Sequence, residues 1–229
     1  MGYTVDDTAI SSVPLFAALD DDARQALRNA MVETTLRRGE TLFTEGDPGD
    51  RLYLVLDGKI KLGHSSRDGR ENLLAILGPG ELLGELTLFE PGERTATATA
   101  VATSRLAELR HDQFMSLLDH RPALAKHMLR ELAIRLRRTN EALADLVFSD
   151  VPGRVAKALL DLAERFGEDT PEGLRVAHDL TQEELAQLVG ASRETVNKSL
   201  ADFISRGWIR LEGRAVLILD IMRLQRRAR

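Results

Sequence analysis

The stretch of residues 181–200 constrains the fold of this chain more than any other, because its pattern predicts two short helices joined by a tight corner. Thr181 and Glu184 form a capping box, which satisfies free amides where a helix begins. Gly190 suits the end of that helix, and Ser192 suits the amino-terminal cap of the next. The apolar positions predicted to point inward are Leu185, Leu188, Val189, Val196, Leu200 and Phe203.

The outward side of the second helix is predicted to be charged and polar, with Arg193, Glu194, Asn197 and Lys198. Arginine donates to O6 and N7 of guanine, and glutamate accepts from N4 of cytosine, so these residue types favour reading DNA in the major groove. An ordinary helical hairpin with solvated charges is the alternative interpretation. A basic face for phosphate is predicted from Arg193, Lys198, Arg206, Arg210 and Arg214.

The net charge of −5 argues at first sight against a nucleic-acid partner. Residues 149–229 carry 13 basic and 13 acidic side chains, so the whole excess of acid lies in residues 1–148. A local basic face is what phosphate binding needs, and the charge of the whole chain does not report on it. The last four arginines, Arg223, Arg226, Arg227 and Arg229, are interpreted as a solvated basic tail.

The chain has no cysteine, which excludes disulfides and thiolate metal sites and indicates a reducing cytoplasm. The amino terminus lacks the pattern of a signal peptide, and no apolar run approaches the ~20 residues of a membrane span. We therefore expect a cytoplasmic protein with no membrane partner and no bound metal.

Glycine usage divides the chain, because 11 of its 17 glycines fall at or before Gly92 and none lies between Glu93 and Pro152. A helix is predicted over residues 13–31, and from Thr41 short apolar runs alternate with glycines. This pattern predicts an antiparallel β-barrel or jelly roll of about eight strands. The runs are Leu52–Leu56, Ile60–Leu62, Leu73–Leu77 and Ala96–Ala102.

Residues 123–147 lack glycine and proline and predict one long helix. Its apolar positions alternate in steps of three and four residues, the seam of a two-stranded coiled coil, which predicts a parallel homodimer. Thr139 is the polar member of the seam, and it either sets the register or touches something bound at the dimer interface. The seam is Ala125, Leu129, Leu132, Leu136, Thr139, Leu143 and Leu146.

The carboxyl-terminal part is predicted to be a winged helix-turn-helix domain. Residues 148–153 are interpreted as a hinge, followed by a helix over 154–166 and a short strand at Leu174–Val176. Beyond the helix pair, residues 209–219 alternate about a Glu212–Gly213 turn, which predicts a β-hairpin wing. The predicted class is α+β, with domains at 1–122 and 154–229 joined by the helix 123–147 and the hinge.

The loop of residues 78–96 carries the groups of an anion pocket. Gly84 permits close approach of the backbone, and Glu85 with Leu86 is expected to open a short helix whose free amides attract an anion. A carboxylate binds vicinal hydroxyls, and Arg94 with Thr95 can hold a phosphate, so the set describes a sugar-phosphate pocket. A surface loop with a structural Glu85–Arg94 ion pair is equally compatible with the spacing.

Two motifs carry a resemblance to a known family. Gly80-Glu-Leu-Leu-Gly-Glu-Leu-Thr-Leu-Phe89 with Arg94-Thr-Ala96 resembles the phosphate-binding cassette of cyclic-nucleotide-binding domains. Ala191-Ser-Arg-Glu-Thr-Val196 resembles the recognition helix of the bacterial cAMP receptor protein family. The resemblance covers about residues 14–219, and the runs 137–148 and 150–156 look most like its actinobacterial, cAMP-responsive branch.

The resemblance implies cAMP as the ligand. Glu85 would bind the ribose 2′-hydroxyl, while Arg94, Thr95 and the Gly84–Glu85 backbone would bind the cyclic phosphate. Thr139 would take the adenine amine, and Asn140, where the family usually has Ser, would reach the ligand of the partner subunit. The remaining residues that it assigns to the site are Leu74, Leu83, Leu86 and Arg135, the last as a brace.

On the DNA side, the resemblance implies double-stranded operator DNA as a partner, with palindromic, TGTGA-like half-sites, and RNA polymerase as another. Arg193 would read guanine, Glu194 cytosine, and Lys198 a base edge or nearby phosphate. Lys198 stands where better-known relatives have Arg, so discrimination at that base is expected to be weaker. The expected phosphate contacts are Thr181, Ser192 and Thr195.

Three alternatives are open at this point. The same fold could sense another effector, although the missing cysteines and the lack of ligand spacing among the five histidines disfavour iron–sulfur clusters and haem. DNA binding could also be constitutive, without dependence on cAMP. An enzyme that uses Glu81 and Glu85 is the least favoured, because neither has a partnered base or a nucleophile nearby.

Overall fold

The computed structural model describes residues 20–65, 71–120 and 122–229. The chain forms two compact units, and the division within its longest helix falls between Leu136 and Arg137. The predicted helix over residues 13–31 lies partly outside the described residues, and its described part forms α1 (Asp21–Ala30).

Eight strands lie between Val32 and Arg110 among the described residues, in keeping with the number of about eight that the spacing of glycines predicted. They form two four-stranded sheets with the orders β1-β8-β3-β6 and β2-β7-β4-β5. Such a pair of sheets fits the predicted jelly roll. The strands are β1 (Val32–Leu36), β2 (Thr41–Phe43), β3 (Arg51–Asp57), β4 (Ile60–Ser65), β5 (Glu71–Leu77), β6 (Leu82–Leu83), β7 (Thr97–Ala100) and β8 (Ser104–Arg110).

The apolar run after Arg51 forms strand β3, whose two faces pack in different hydrophobic clusters. Leu52 and Leu54 pack in a cluster with Phe114, while Tyr53 and Val55 pack in the cluster that joins the two sheets. Because successive side chains of a strand point to opposite faces, a strand that is covered on both faces has a continuous apolar sequence. The run therefore marks a central strand, which holds the loop after β6 against the sheet.

Three more helices belong to this part of the chain. Helix α2 (Leu86–Phe89) lies between β6 and β7, and α3 (His111–His120) and α4 (Pro122–Phe148) follow β8. The long helix α4 is one residue longer at each end than the sequence predicted. Its side chains at Leu129, Leu136, Leu143 and Leu146 are exposed. No helix of the described residues is long and apolar enough to span a membrane.

The second unit has a four-stranded sheet of order β11-β12-β10-β9 packed with helices. The helix predicted over residues 154–166 begins earlier, at Val151, so only Ser149 and Asp150 of the predicted hinge 148–153 lie outside helices. Asp150 caps this helix through its side chain, with Pro152 in the first turn. The elements are α5 (Val151–Phe166), β9 (Gly167–Thr170), β10 (Gly173–Val176), α6 (Gln182–Val189), α7 (Arg193–Ser205), β11 (Ile209–Glu212), β12 (Ala215–Ile218) and α8 (Ile221–Arg227).

Three further details of this unit differ from the prediction. Strand β9 was not predicted, because its sequence Gly-Glu-Asp-Thr carries no apolar alternation, and the wing turns at Gly213–Arg214, one residue later than expected. The arginine-rich end forms helix α8 instead of an irregular tail, although Arg223, Arg226 and Arg229 are exposed as predicted. Leu224 is fully buried there, and Arg227 forms an ion pair with Asp150 at 2.5 Å.

Candidate functional site

The loop between β6 and β7 surrounds a small pocket in the first unit. Its walls include the predicted cassette residues together with side chains of β2 and β4 and one residue of α4. The lining residues are Phe43, Leu62, Gly84, Glu85, Leu86, Thr87, Arg94, Thr95, Ala96 and Arg135.

Gly84 sets the turn on which the pocket is built. Its φ of +80° lies in the left-handed region, where residues with a side chain are strained. A Cβ at this position would lie 2.8 Å from the carbonyl oxygen of Arg51 and would also collide with the guanidinium of Arg94. The sequence predicted this close approach, and the structure shows that the approaching groups are Arg51 and Arg94.

Arg94 is buried beneath this turn, with 5% of its surface exposed. Its Nη1 donates to the carbonyl of Gly84 at 3.2 Å, and its Nη2 donates to the carbonyl of Arg51 at 2.7 Å. The guanidinium stacks on the ring of Phe43, 4.4 Å from the centroid. Its Nε is buried without a partner among the described residues. Burial lowers the pKa of Arg94, so a nearby anion would relieve an uncompensated charge.

Glu85 is the second buried charge of the pocket, with 3% of its surface exposed. It forms an ion pair with Arg135, whose Nη2 also donates to the carbonyl of Leu82 at 2.8 Å. The alternative of a structural Glu85–Arg94 pair is therefore wrong, because Arg94 donates to backbone carbonyls and Glu85 accepts from α4. Glu81 has a different role, since its carboxylate accepts from the amide of Gly78 at 2.8 Å.

The other predicted ligand residues fall in different surroundings. Thr95 and Leu86 are exposed at the pocket. Leu83 is fully buried in the cluster between the sheets, and Leu74 is exposed on β5 outside the pocket lining. Two residues, Thr139 and Asn140, lie on the part of α4 that belongs to the second unit, and both are exposed.

The helix pair of the second unit has the predicted caps. The side chain of Thr181 accepts from the amide of Glu184 at 3.1 Å, and Glu184 accepts from the amide of Thr181 at 2.8 Å. Gly190 ends α6 in the left-handed conformation, with φ of 63°. Ser192 accepts from the amide of Thr195 at 3.2 Å and begins α7. The side chains of Thr181, Glu184 and Ser192 thus satisfy backbone amides at the starts of the two helices, and these hydrogen bonds stabilise the corner.

Helix α7 exposes the residues predicted to read DNA. Arg193 is exposed and has no hydrogen bond or ion pair with a described residue. Lys198 forms an ion pair with Glu194 at 2.7 Å, and both side chains are about three-quarters exposed, at 74% and 78%. The prediction for Asn197 is wrong in part, because this residue is half-buried and its Oδ1 is buried without a described partner.

Part of the predicted basic face is neutralised by acidic side chains. Arg206 forms an ion pair with Asp202 at 2.8 Å, and Arg210 forms ion pairs with Glu172 at 2.7 Å and Glu212 at 3.0 Å. Acidic neighbours thus compensate these two arginines. Within the described ranges, no group of three or more His, Asp or Glu side chains is placed to hold a metal ion.

Sequence reasoning missed three residues that contact backbone carbonyls at the pocket turn and at the corner of the helix pair. The buried Thr87 donates to the carbonyl of Gly84 at 3.2 Å, and Nε2 of His111 lies 3.3 Å from the same oxygen. In the second unit, Arg154 donates to the carbonyls of Val189 at 2.8 Å and Gly190 at 3.2 Å. Thr87 lies within the cassette and was open to prediction. The other two are distant from their partners in sequence and carry no local signal.

Comparison with known proteins matches both units to families. The cyclic nucleotide-binding domain family matches residues 33–121, and the Crp-like helix-turn-helix domain family matches residues 153–227. The CRP-like cAMP-activated global transcriptional regulator of Mycobacterium tuberculosis is 54% identical over 223 residues, which are 97% of this chain and 100% of the relative. The cyclic AMP receptor protein of Thermus thermophilus is 36% identical and covers 86% of this chain and 88% of the relative.

Solved structures agree with this assignment. The c-di-GMP responsive global regulator CLP of Xanthomonas campestris superposes with a TM-score of 0.72 at 26% identity, over 87% of this chain and 99% of that one. The relatives are transcription regulators, so the enzyme interpretation is not supported. The chain belongs to the CRP family of DNA-binding transcription regulators, in the actinobacterial branch that includes the mycobacterial relative.

Proposed function

We propose that this protein is a homodimeric transcription regulator whose affinity for operator DNA is raised by cAMP. The observation that carries the proposal is the buried guanidinium of Arg94, which has an unpartnered Nε at a pocket that also contains the buried carboxylate of Glu85. A cyclic nucleotide offers both an anionic phosphate and a ribose hydroxyl, which are the groups that such a pair can bind.

In the proposed complex, Arg94 and Thr95 bind the cyclic phosphate with the backbone of Gly84 and Glu85, and Glu85 accepts from the ribose 2′-hydroxyl. Arg135 already holds the Glu85 carboxylate in place, so the hydroxyl meets an oriented acceptor. We assign the adenine amine to Thr139 and a contact with the partner subunit's ligand to Asn140. These two assignments rest on the resemblance to the family.

The proposed DNA contacts use the exposed first turns of α7. Arg193 donates to guanine, Glu194 accepts from cytosine, and Lys198 contacts a base edge or phosphate. The Glu194–Lys198 pair must open for this, at a small cost because an exposed pair contributes only about 0–1 kcal/mol. Thr181, Ser192 and Thr195 are proposed phosphate contacts.

Dimerisation is proposed through the seam of α4. Leu129 is 67% exposed, and Leu136, Leu143 and Leu146 are also exposed at the heptad positions of the same helix. A parallel coiled coil would cover these side chains and present two copies of α7 to the two half-sites of a palindrome. RNA polymerase is the proposed further partner at promoters, and the cytoplasm is the proposed location.

Calorimetric titration of the full chain with cAMP tests the ligand. We expect binding by the wild type and its loss in Glu85→Ala, while Glu81→Ala is the matched control on the same loop and retains binding. Thermal unfolding of each variant shows that it is folded. Parallel titrations with cGMP and 2-oxoglutarate test the alternative effectors, and binding of one of these in place of cAMP would contradict the assigned ligand.

A further inference from the structure

His111, the first residue of α3, is not part of the pocket lining and contacts the turn at Gly84 on which the pocket is built. Its Nε2 lies 3.3 Å from the carbonyl oxygen of Gly84, and its own amide donates to the carbonyl of Asp50 at 3.0 Å. A carbonyl oxygen only accepts, so this contact requires a hydrogen on Nε2. The side chain is half-buried, and nothing in the proposed ligand site uses it.

The carbonyl oxygen of Gly84 has three potential donors within hydrogen-bond distance. Arg94 Nη1 and Thr87 Oγ1 each lie 3.2 Å from it, and His111 Nε2 is the third donor at 3.3 Å. A carbonyl oxygen has two lone pairs, so one of the three donors can leave while the oxygen remains satisfied.

Arg94 is the donor that a ligand would draw away. The guanidinium lines the pocket, but Nη1 and Nη2 both donate to backbone carbonyls, so a phosphate gains a second donor beside the unpartnered Nε only if Nη1 leaves Gly84. A shift that frees Nη1 for a phosphate costs less when Thr87 and His111 continue to satisfy Gly84, because a buried carbonyl without a partner costs about 1–3 kcal/mol.

We propose that His111 is a positioning residue for the cyclic phosphate: it holds the carbonyl of Gly84 when the guanidinium of Arg94 turns to the ligand. The inference rests on the proposed function and adds a residue to the same site. His111 does not touch the ligand. It lowers the cost of the rearrangement that gives Arg94 to the phosphate.

The charges around His111 affect its pKa, so its proposed role predicts a pH dependence of ligand binding. Burial and the nearby guanidinium of Arg94 hold the pKa of His111 below its usual range, while the carbonyls of Gly84 and Arg51 and the carboxylate of Asp50 oppose this. The neighbouring charges on the chain, Arg110 and Asp112, are paired with each other at 3.0 Å.

A bound phosphate compensates Arg94 and leaves the carbonyl of Gly84 to His111, so both changes raise the pKa of the ring. A group whose pKa rises on binding takes up protons from solution, and the ligand affinity then increases as the pH falls. We therefore expect the affinity of the wild type for cAMP to increase from pH 8 toward pH 6, over the range in which His111 titrates.

Calorimetric titration of the full chain with cAMP, in buffers of different ionisation enthalpy, tests the inference. His111→Phe removes the donor and is expected to weaken binding about tenfold, the equivalent of one hydrogen bond. His111→Gln keeps a donor at similar reach, and its affinity at pH 8 is expected to stay within about threefold of the wild type. Uptake of protons on binding is expected in the wild type and not in His111→Gln.

His120→Gln is the matched control, because His120 is an exposed residue of the same helix, and we expect it to behave as the wild type. If His111→Phe binds cAMP as tightly as the wild type, or if proton uptake persists in His111→Gln, the inference is wrong and the proposed function stands. If the wild type binds no cAMP, the proposed function fails and the inference fails with it. Should His111→Phe not fold, the proton count of His111→Gln decides.

Discussion

The ligand pocket and the recognition helix α7 use the same pair of residue types, arginine and glutamate, in opposite settings. Arg94 and Glu85 are 5% and 3% exposed, and each has hydrogen-bond or ion-pair partners within the protein. Arg193 and Glu194 are exposed on the surface of α7, and the ion pair of Glu194 with Lys198 is open to water. In the proposed function, a small ligand would therefore meet charges that are already desolvated, and DNA would meet charges that are still hydrated.

This difference has an energetic consequence. A buried charge that loses its partner is strongly destabilised, whereas an exposed pair contributes about 0–1 kcal/mol and exchanges partners at little cost. We therefore expect changes in the pocket to alter ligand affinity most, and changes on α7 to alter DNA affinity while leaving folding almost unchanged. The following predictions test this contrast from the largest effect to the smallest.

Replacing Arg94 tests the buried side of the contrast. Arg94→Leu is expected to weaken cAMP binding by about 100-fold or more, because two charge-assisted hydrogen bonds of about 1.5–3 kcal/mol each are lost. Calorimetry measures the affinity, and Arg105→Leu, which removes an exposed ion pair with Glu33, is the matched control. Binding by Arg94→Leu within about threefold of the wild type would remove the basis of the proposed phosphate site.

Replacing Arg193 tests the exposed side. Arg193→Ala is expected to lower operator affinity by about 10- to 100-fold, since a bidentate arginine–guanine pair contributes about 1–3 kcal/mol of discrimination. Neither cAMP affinity nor thermal unfolding should change. Fluorescence anisotropy with labelled operator is the measurement, and Arg206→Ala, at the other end of α7, is the control. An equal loss in both variants would indicate a general charge effect.

The caps of the helix pair give a smaller effect, and it falls on stability. Ser192→Ala removes the acceptor for the amide of Thr195 and is expected to destabilise the second unit by about 1 kcal/mol. Urea unfolding should show a lower midpoint with an unchanged slope. Ser205→Ala at the opposite end of the same helix is the comparison, and it should shift the midpoint less. No shift for Ser192→Ala would show that the corner is held by packing alone.

The smallest effect is expected for Lys198→Arg. The new side chain keeps the charge beside Glu194, so unfolding should change by less than about 0.5 kcal/mol. Its planar guanidinium can form two parallel hydrogen bonds, and discrimination between the operator and a base-substituted operator should increase a few-fold. Competition binding with the two DNA duplexes measures the ratio, and a decrease would place Lys198 on a phosphate.

The helix pair was predictable because its signals are local. Thr181 and Glu184 are three residues apart and cap each other, and Gly190 has the backbone conformation that its residue type indicates. The long helix was predictable for a related reason, since its seam repeats along one segment. Such features depend on neighbours in sequence, which a single sequence contains.

The pocket was predictable in its residue types and not in its connections. Arg94 reaches Arg51 across 43 residues, and His111 reaches Gly84 across 27. These contacts follow from the pairing of β3 with β8 and β6, which spacing alone does not specify. The helix at the arginine-rich end was not predicted, because its composition resembles a solvated tail, whereas the buried side chain of Leu224 anchors it.

The central claim is that ligand binding in the first unit controls DNA binding by the second. The most direct test is a titration of labelled palindromic operator with the full chain at fixed salt, with and without saturating cAMP. A coupling of the usual size, about 1–3 kcal/mol, predicts that cAMP lowers the Kd about 5- to 150-fold. The same Kd with and without cAMP would contradict the account and leave a DNA-binding protein that does not respond to this nucleotide.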